Sequence, residues 1–131
     1  MIFPVFLEDF IKHIYEEEDT LFGYIDLLDR FDLKQQQTVT KVLLDTQKHS
    51  LREVATEHSE EDEMAGIREM IKSIMQQNID HVMVRTLVHE MIAFDDELEN
   101  HAKIENQILF PKAIQLEQNV FSQLDVVSKF N

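Results

Sequence analysis

Two stretches of the chain place a histidine and a glutamate four residues apart, and in both a Leu-Phe pair begins four residues after the glutamate. The pairs are His13 with Glu17 and His101 with Glu105. Steps of three and four residues keep side chains on one face of a helix, and apolar residues share that face here. A buried imidazole or carboxylate is costly unless a partner satisfies it. A metal ion shared by the two pairs would satisfy both.

The residue types suit such an ion. Neutral imidazole offers a nitrogen lone pair, and a glutamate carboxylate can bridge two cations through its two oxygens. Helical bundles that hold two iron or manganese ions use inward-facing Glu and His at this kind of spacing. A ligand set of nitrogen and oxygen without sulfur favours iron or manganese, and zinc is also compatible with it.

His58 is the candidate ligand from a third helix, because it shares an apolar helix face with Leu51 and Val54. Asp62, four residues later, could reach the same site. It also belongs to the acidic run 60–63, for which a solvated face is the favoured interpretation. The other histidines are predicted to be surface residues: His49, His81 and His89.

Helices are expected to position these residues, since two Gly and two Pro leave few places for turns. Apolar periodicity and capping residues predict helices at about 4–30, 33–48, 51–77 and 81–110, then a short terminal helix. Asp32 is the predicted cap of the second helix, and Ser50 with Glu53 forms a capping box for the third. A bend is expected near Gly66, and a kink or break at Pro111. The prediction is one all-α domain, 1–131, folded as an antiparallel four-helix bundle.

Composition excludes several classes of partner. The formal net charge of −14 disfavours nucleic acid and anionic membranes, because phosphate contacts need Lys and Arg. The chain has no Cys, so it offers no disulfide and no thiolate ligand, and a cytoplasmic location is expected. Its start lacks the pattern of a signal peptide, and no window approaches the roughly 20 apolar residues of a membrane span.

The two stretches, above all H-A-K-I-E-N-Q-I-L-F-P-K-A-I-Q-L-E from His101, resemble the hemerythrin-like family. The closest likeness is to its branch of di-iron proteins implicated in repair of iron–sulfur centres damaged by nitric oxide or oxidants. Thr-Glu-His58 is similar to that family's third-helix ligand, and the match spans about His13 to Glu117. The resemblance implies a four-helix bundle with a carboxylate-bridged di-iron centre. It also implies terminal ligands at His13, His58 and His101, and bridging ligands at Glu17 and Glu105.

The chain departs from that family in two respects. Family members have another histidine-bearing helix before the first such stretch, whereas only twelve residues precede His13 here. The cysteine-containing amino-terminal segment of some repair proteins is also absent. The expected fold is therefore hemerythrin-like without its usual first ligand helix. One iron would be short of ligands unless Asp62, water or another chain supplies them, and a one-metal or degenerate site is an alternative.

The expected function is that of a di-iron, metal-binding protein rather than an enzyme, with two irons per chain. It would bind dioxygen or nitric oxide, or donate iron to damaged clusters. One alternative is a di-iron peroxidase or oxidase, for which the sequence shows no separate proton donor. The other is a metal-free interaction module, in which the missing helix leaves an apolar groove for a partner or for a second copy in a homodimer.

Overall fold

The computed structural model describes residues 2–48, 50–60, 62, 64–78 and 80–130, with side chains for all of these except 2–4, 47, 48, 127, 128 and 130. Every regular element in this part of the chain is a helix, which confirms the predicted all-α class. None of these helices has both the length and the apolar character that crossing a membrane requires.

Four helical stretches build a bundle. The first, α1, covers 2–29 and consists of Ile2–Tyr15, the π-helical segment Glu16–Phe22 and Gly23–Asp29. The second, α2, is Gln36–Lys48, and the third has two parts, α3 (Leu51–Glu60) and α4 (Ala65–Gln76). The last, α5, covers 82–130 and consists of Val82–Ile104, the π-helical segment Glu105–Leu109 and Phe110–Phe130.

Two separate apolar clusters hold these helices together. One joins the end of α1 to α2, α3 and the second half of α5, through Leu21, Tyr24, Leu28, Val42, Leu51, Phe110, Ala113 and Val120. The other joins α4 to the first half of α5, through Met64, Ile67, Ile71 and Met91, with Phe6, Phe94 and Leu98 packed against it. Burying each large apolar side chain contributes about 1.5–3 kcal/mol. The π-helical segments of α1 and α5 lie between the two clusters.

Two contacts define the relative direction of α1 and α5. The rings of Phe10 and Phe94 pack edge to face with centroids 5.5 Å apart. Fourteen residues further along α1, the Tyr24 hydroxyl donates to Glu117 Oε2 at 2.8 Å. Both helices therefore run the same way, whereas the α3–α4 stretch runs opposite to them, from the Leu51 cluster towards the Met91 cluster.

Of the kink or break predicted at Pro111, the break is wrong, since residues 82–130 are helical throughout. Phe110 donates its N–H to the carbonyl of Glu105, five residues back, so the turn before Pro111 is wider than an α-turn. A wider turn accommodates a proline ring, which in a regular helix clashes with the carbonyl four residues earlier. The predicted terminal helix is thus the continuation of α5.

The predicted start of α2 is wrong, whereas the predicted serine cap of α3 is confirmed. Asp32 was predicted to cap a helix at residue 33, but its carboxylate accepts from the Lys34 N–H at 2.9 Å in a local turn, and α2 begins at Gln36. An aspartate can satisfy its neighbouring backbone without starting a helix. Ser50 does cap α3, because its hydroxyl accepts from the Glu53 N–H at 3.2 Å.

The stretch predicted as one helix over 51–77 is divided before Gly66 instead of bending there: α3 ends at Glu60 and α4 begins at Ala65. The predicted break after it is confirmed, since Asn78 has a φ of 52°. Asparagine tolerates this left-handed conformation better than most residues.

Gly23 offers a direct test of the continuity of α1. It has helical backbone angles (φ −59°, ψ −41°), and a Cβ added there would meet no heavy atom within 4 Å. We expect Gly23→Ala to raise the free energy of unfolding by about 0.5–1 kcal/mol, because alanine restricts the unfolded chain more. Urea denaturation measures the difference, and a less stable variant would contradict a continuous, unstrained helix at this junction.

Candidate metal centre

The structure brings together five of the predicted site residues between the two apolar clusters. They form two groups that share Glu17: His13, Glu17 and His58, and Glu17, His101 and Glu105. Within each group the candidate ligand atoms all lie within 4.8 Å of one another. Such clustering of nitrogen and oxygen donors is what a metal ion requires.

On the first side, two histidines face one oxygen of each glutamate. His13 Nε2 lies 2.8 Å from Glu17 Oε1, and His58 Nε2 lies 3.3 Å from the same oxygen. His58 Nε2 is also 2.8 Å from Glu105 Oε2. Three helical stretches therefore supply this side, with α3 bridging α1 and α5.

On the second side, His101 faces the other oxygen of each glutamate. Its Nε2 lies 2.9 Å from Glu105 Oε1 and 3.9 Å from Glu17 Oε2. Both carboxylates thus direct one oxygen to the side of His58 and the other to the side of His101. This is the arrangement in which a carboxylate can bridge two cations.

The burial of the two glutamates makes a positive partner necessary. Glu17 and Glu105 are only 8% and 3% exposed. Among the described residues, none gives a well-aligned hydrogen bond to Glu17 Oε1 or to either carboxylate oxygen of Glu105. A buried charged oxygen without such a bond carries a large desolvation cost. Cations between these oxygens and the histidine nitrogens would remove that cost, so the residues fit a metal centre.

The same contacts shift the protonation of the metal-free site. The contacts of His58 with Glu105 and Glu17 raise its pKa to about 10, although burial acts in the opposite direction. Burial acts to raise the pKa of Glu17, but the contact with His58 and the charge of His13 outweigh it, and the pKa lies below its usual range. Without a metal, a protonated His58 is therefore the positive partner of the carboxylates, and a metal ion has to displace its proton.

Both bridging candidates lie in the π-helical segments. Glu17 is the second residue of Glu16–Phe22, and Glu105 is the first residue of Glu105–Leu109. Each histidine lies four residues earlier, in or at the end of the preceding α-helical part. π-helical turns inside α-helices occur frequently at functional sites, because they redirect side chains locally. The two stretches of the internal repeat thus share an unusual backbone as well as a sequence.

Asn106 is a site residue that the sequence pattern did not reveal. Its Oδ1 lies 3.1 Å from His58 Nδ1, on the opposite side of the ring from the carboxylates. Phe110 packs against the same ring, with centroids 5.3 Å apart. On the regular α-helix that the sequence predicts, Asn106 would lie about 100° around from Glu105, off the apolar stripe. The sequence feature that could have indicated Asn106 as a site residue is its position directly after Glu105.

The remaining candidates lie away from the cluster. Both carboxylate oxygens of Asp62 lie 2.7 Å from Nη1 of Arg68, which also binds Asp95, and Asp62 belongs to neither ligand group. Its side chain is therefore committed to an ion pair instead of the metal site. His81 and His89 are exposed, as predicted, and His49 lies outside the described residues.

A cleft of about 860 Å³ opens onto the site between α1, the α3–α4 stretch and the first half of α5. His101 borders it with its side chain 55% exposed, compared with 10% for His58. Phe10, Phe94 and Leu98 contribute apolar walls. The side of His101 is accordingly the accessible side of the site.

The stability of the metal-free protein should depend on pH through His58. Because its pKa is about 10 in the folded protein against 6.5 ordinarily, protonated His58 stabilises the fold fully below about pH 6.5. This contribution is lost as the pH rises towards 10. In the presence of a chelator, we expect the free energy of unfolding of the wild type to fall between pH 6.5 and 9.5 more steeply than that of His58→Gln. Equal slopes in urea denaturation would contradict the assignment of the buried charge.

The chain matches no family model, no curated protein and no solved structure. The likeness to the hemerythrin-like family therefore rests on the two His–Glu stretches and His58 alone.

Proposed function

We propose that this chain is a metal-binding protein with a carboxylate-bridged centre for two ions. His13 and His58 would hold the first ion and His101 the second, while Glu17 and Glu105 bridge them. The observation that carries the proposal is the division of each carboxylate between the two sides, with one oxygen near His58 and the other near His101. A simple ion pair between a histidine and a carboxylate would need only one glutamate. Here both oxygens of two glutamates are divided between two groups of histidines.

Iron is the proposed metal, with manganese or zinc as substitutes. The donors are imidazole nitrogens and carboxylate oxygens, which suit iron and manganese, and the chain contains no Cys to favour a softer ion. Two carboxylates neutralise half of the charge of two divalent cations, so the ions keep a net attraction for further anionic or polar ligands. The resemblance to the hemerythrin-like family also favours iron.

The proposed role is a response to nitric oxide or dioxygen, or the supply of iron to damaged iron–sulfur centres. The redox-active ions would supply the electrons and the binding site for a diatomic ligand. The chain supplies an asymmetric setting for them: four ligand atoms converge on the side of His58 but three on the more exposed side of His101. The cleft beside His101 gives a small ligand access to that side.

Binding is favoured over catalysis because the groups that converge are imidazoles and carboxylates, which are of the kinds that bind metal ions. Arg68, a basic residue that lines the cleft, is held by Asp62 at 2.7 Å and by Asp95 at 2.6 Å. Its pKa is raised, chiefly by Asp95, so this guanidinium is not a proton donor for a reaction in the cleft.

A metal-free interaction module is the second candidate, and the exposure of apolar side chains favours it. On α1, Val5, Ile11 and Tyr15 are 50% or more exposed. Such a surface is typical of contacts with another protein or with a second copy of the chain. Metal content decides between the candidates, since the module needs no ion.

Elemental analysis of protein purified without added metal tests the proposed centre. We expect about two metal ions per chain, mainly iron, and their loss in the double variant His101→Ala with Glu105→Ala, which removes ligands from both positions. The matched control is His89→Ala with Glu90→Ala, an exposed His–Glu pair on the same helix, and it should keep the ions. A folded wild type that holds no metal, even after incubation with ferrous iron, would contradict the proposal and favour the module.

Absorption spectroscopy tests the proposed response to a diatomic ligand. Nitric oxide added to the iron-loaded protein should change its near-ultraviolet and visible bands, because it would bind on the open side of the centre. We expect His101→Gln to alter or abolish this change, and His89→Gln to leave it intact. Spectra that do not respond to nitric oxide or dioxygen would leave iron storage or donation as the role and rule out gas binding.

A further inference from the structure

The ring of His58 is held at both of its nitrogen atoms. Nε2 lies 2.8 Å from Glu105 Oε2, on the side of the proposed ions, and Nδ1 lies 3.1 Å from Asn106 Oδ1. The ring of Phe110 packs against the imidazole, with the ring centroids 5.3 Å apart. The side chain of His58 is 10% exposed, so water has little access to its nitrogens.

The contact with Asn106 determines which nitrogen keeps a proton. Neutral imidazole has one N–H, and an amide oxygen can only accept a hydrogen bond. Once His58 has lost one proton, Nδ1 must therefore be the nitrogen that still donates to Asn106, and Nε2 presents its lone pair towards Glu17 and Glu105. The other tautomer would place the proton on Nε2, where it would prevent metal binding.

A single turn of α5 provides both contacts. Glu105 and Asn106 are consecutive residues of the π-helical segment, and they face opposite edges of the same imidazole. The residue that corresponds to Asn106 in the first stretch is Glu18, which is exposed. The contact with Asn106 is thus particular to the second stretch. It involves His58, which lies outside both stretches of the repeat.

We propose that Asn106 is a positioning residue of the metal centre: it fixes the tautomer and the orientation of His58 so that Nε2 binds the metal ion. The inference rests on the proposed metal-binding function and adds a residue to it. Partners of this kind, which bind the second nitrogen of a ligand histidine, typically change metal affinity by about 10–100-fold when they are removed.

Zinc affinity of the full chain, measured by competition with a chromophoric chelator, tests the proposal. Asn106→Leu removes the acceptor and keeps the number and branching of the side-chain heavy atoms, and we expect zinc to bind about 10–100-fold more weakly. Asn106→Asp keeps an acceptor at the same place and should bind at least as tightly as the wild type. Asn119→Leu, an exposed asparagine on the same helix, is the matched control and should have no effect.

A double-variant cycle separates positioning from a general structural role. If Asn106 acts through His58, Asn106→Leu should weaken zinc binding in the wild type but not in the His58→Ala background. The zinc-loaded wild type should also show a slowly exchanging Nδ1 proton of His58 by NMR, and Asn106→Leu should lose this protection.

Three results would overturn the inference: an equal loss of affinity in both backgrounds, an equal loss in the Leu and Asp variants, or unchanged binding in Asn106→Leu. Each of these leaves the proposed function standing, provided that the wild type binds zinc. A wild type without zinc affinity would instead contradict the proposed function, and this inference with it.

Discussion

Two buried carboxylates that point at one imidazole are the constraint on which the structure depends. Glu17 and Glu105 come from different helices, yet both lie within 3.3 Å of His58 Nε2. Two negative charges in this position repel each other and lose their hydration, so positive charge has to lie between them. The proton of His58 provides it in the metal-free protein, and cations can provide it more fully. The two apolar clusters supply the stabilisation that keeps the charged groups between them.

The two stretches of the internal repeat lie side by side because α1 and α5 are parallel. Equivalent residues of the two stretches reach the same level of the bundle, where both helices widen into π-helical turns. The resulting site is only approximately symmetric. His58 has no counterpart and closes one side, whereas His101 is half exposed at the cleft. The fold therefore creates one enclosed and one accessible side of the candidate site from two stretches that share a His, a Glu and a Leu-Phe pair at the same spacing.

The sequence predicted which His and Glu residues lie together better than it predicted where the helices begin and end. Helical periodicity predicts that His13 lies beside Glu17 and that His101 lies beside Glu105, since these pairs depend only on local geometry. The two pairs meet because α1 and α5 pack side by side, which is a tertiary contact. The continuation of α5 through Pro111 could not be predicted, because it depends on the preceding π-helical turn. Asn106 lies off the apolar stripe, and its contact with His58 joins two helices through residues 48 apart in sequence. The engagement of Asp62 by Arg68 is likewise a tertiary contact.

Anomalous diffraction from crystals grown with ferrous iron or manganese would locate the metal ions and show whether two of them share Glu17 and Glu105. We expect two anomalous peaks about 3.5–4 Å apart, the separation typical of two-metal sites. Both Glu17 and Glu105 should contact each peak, with His58 beside one and His101 beside the other. A single peak bound by one carboxylate, or the absence of any peak between these glutamates, would contradict a carboxylate-bridged centre.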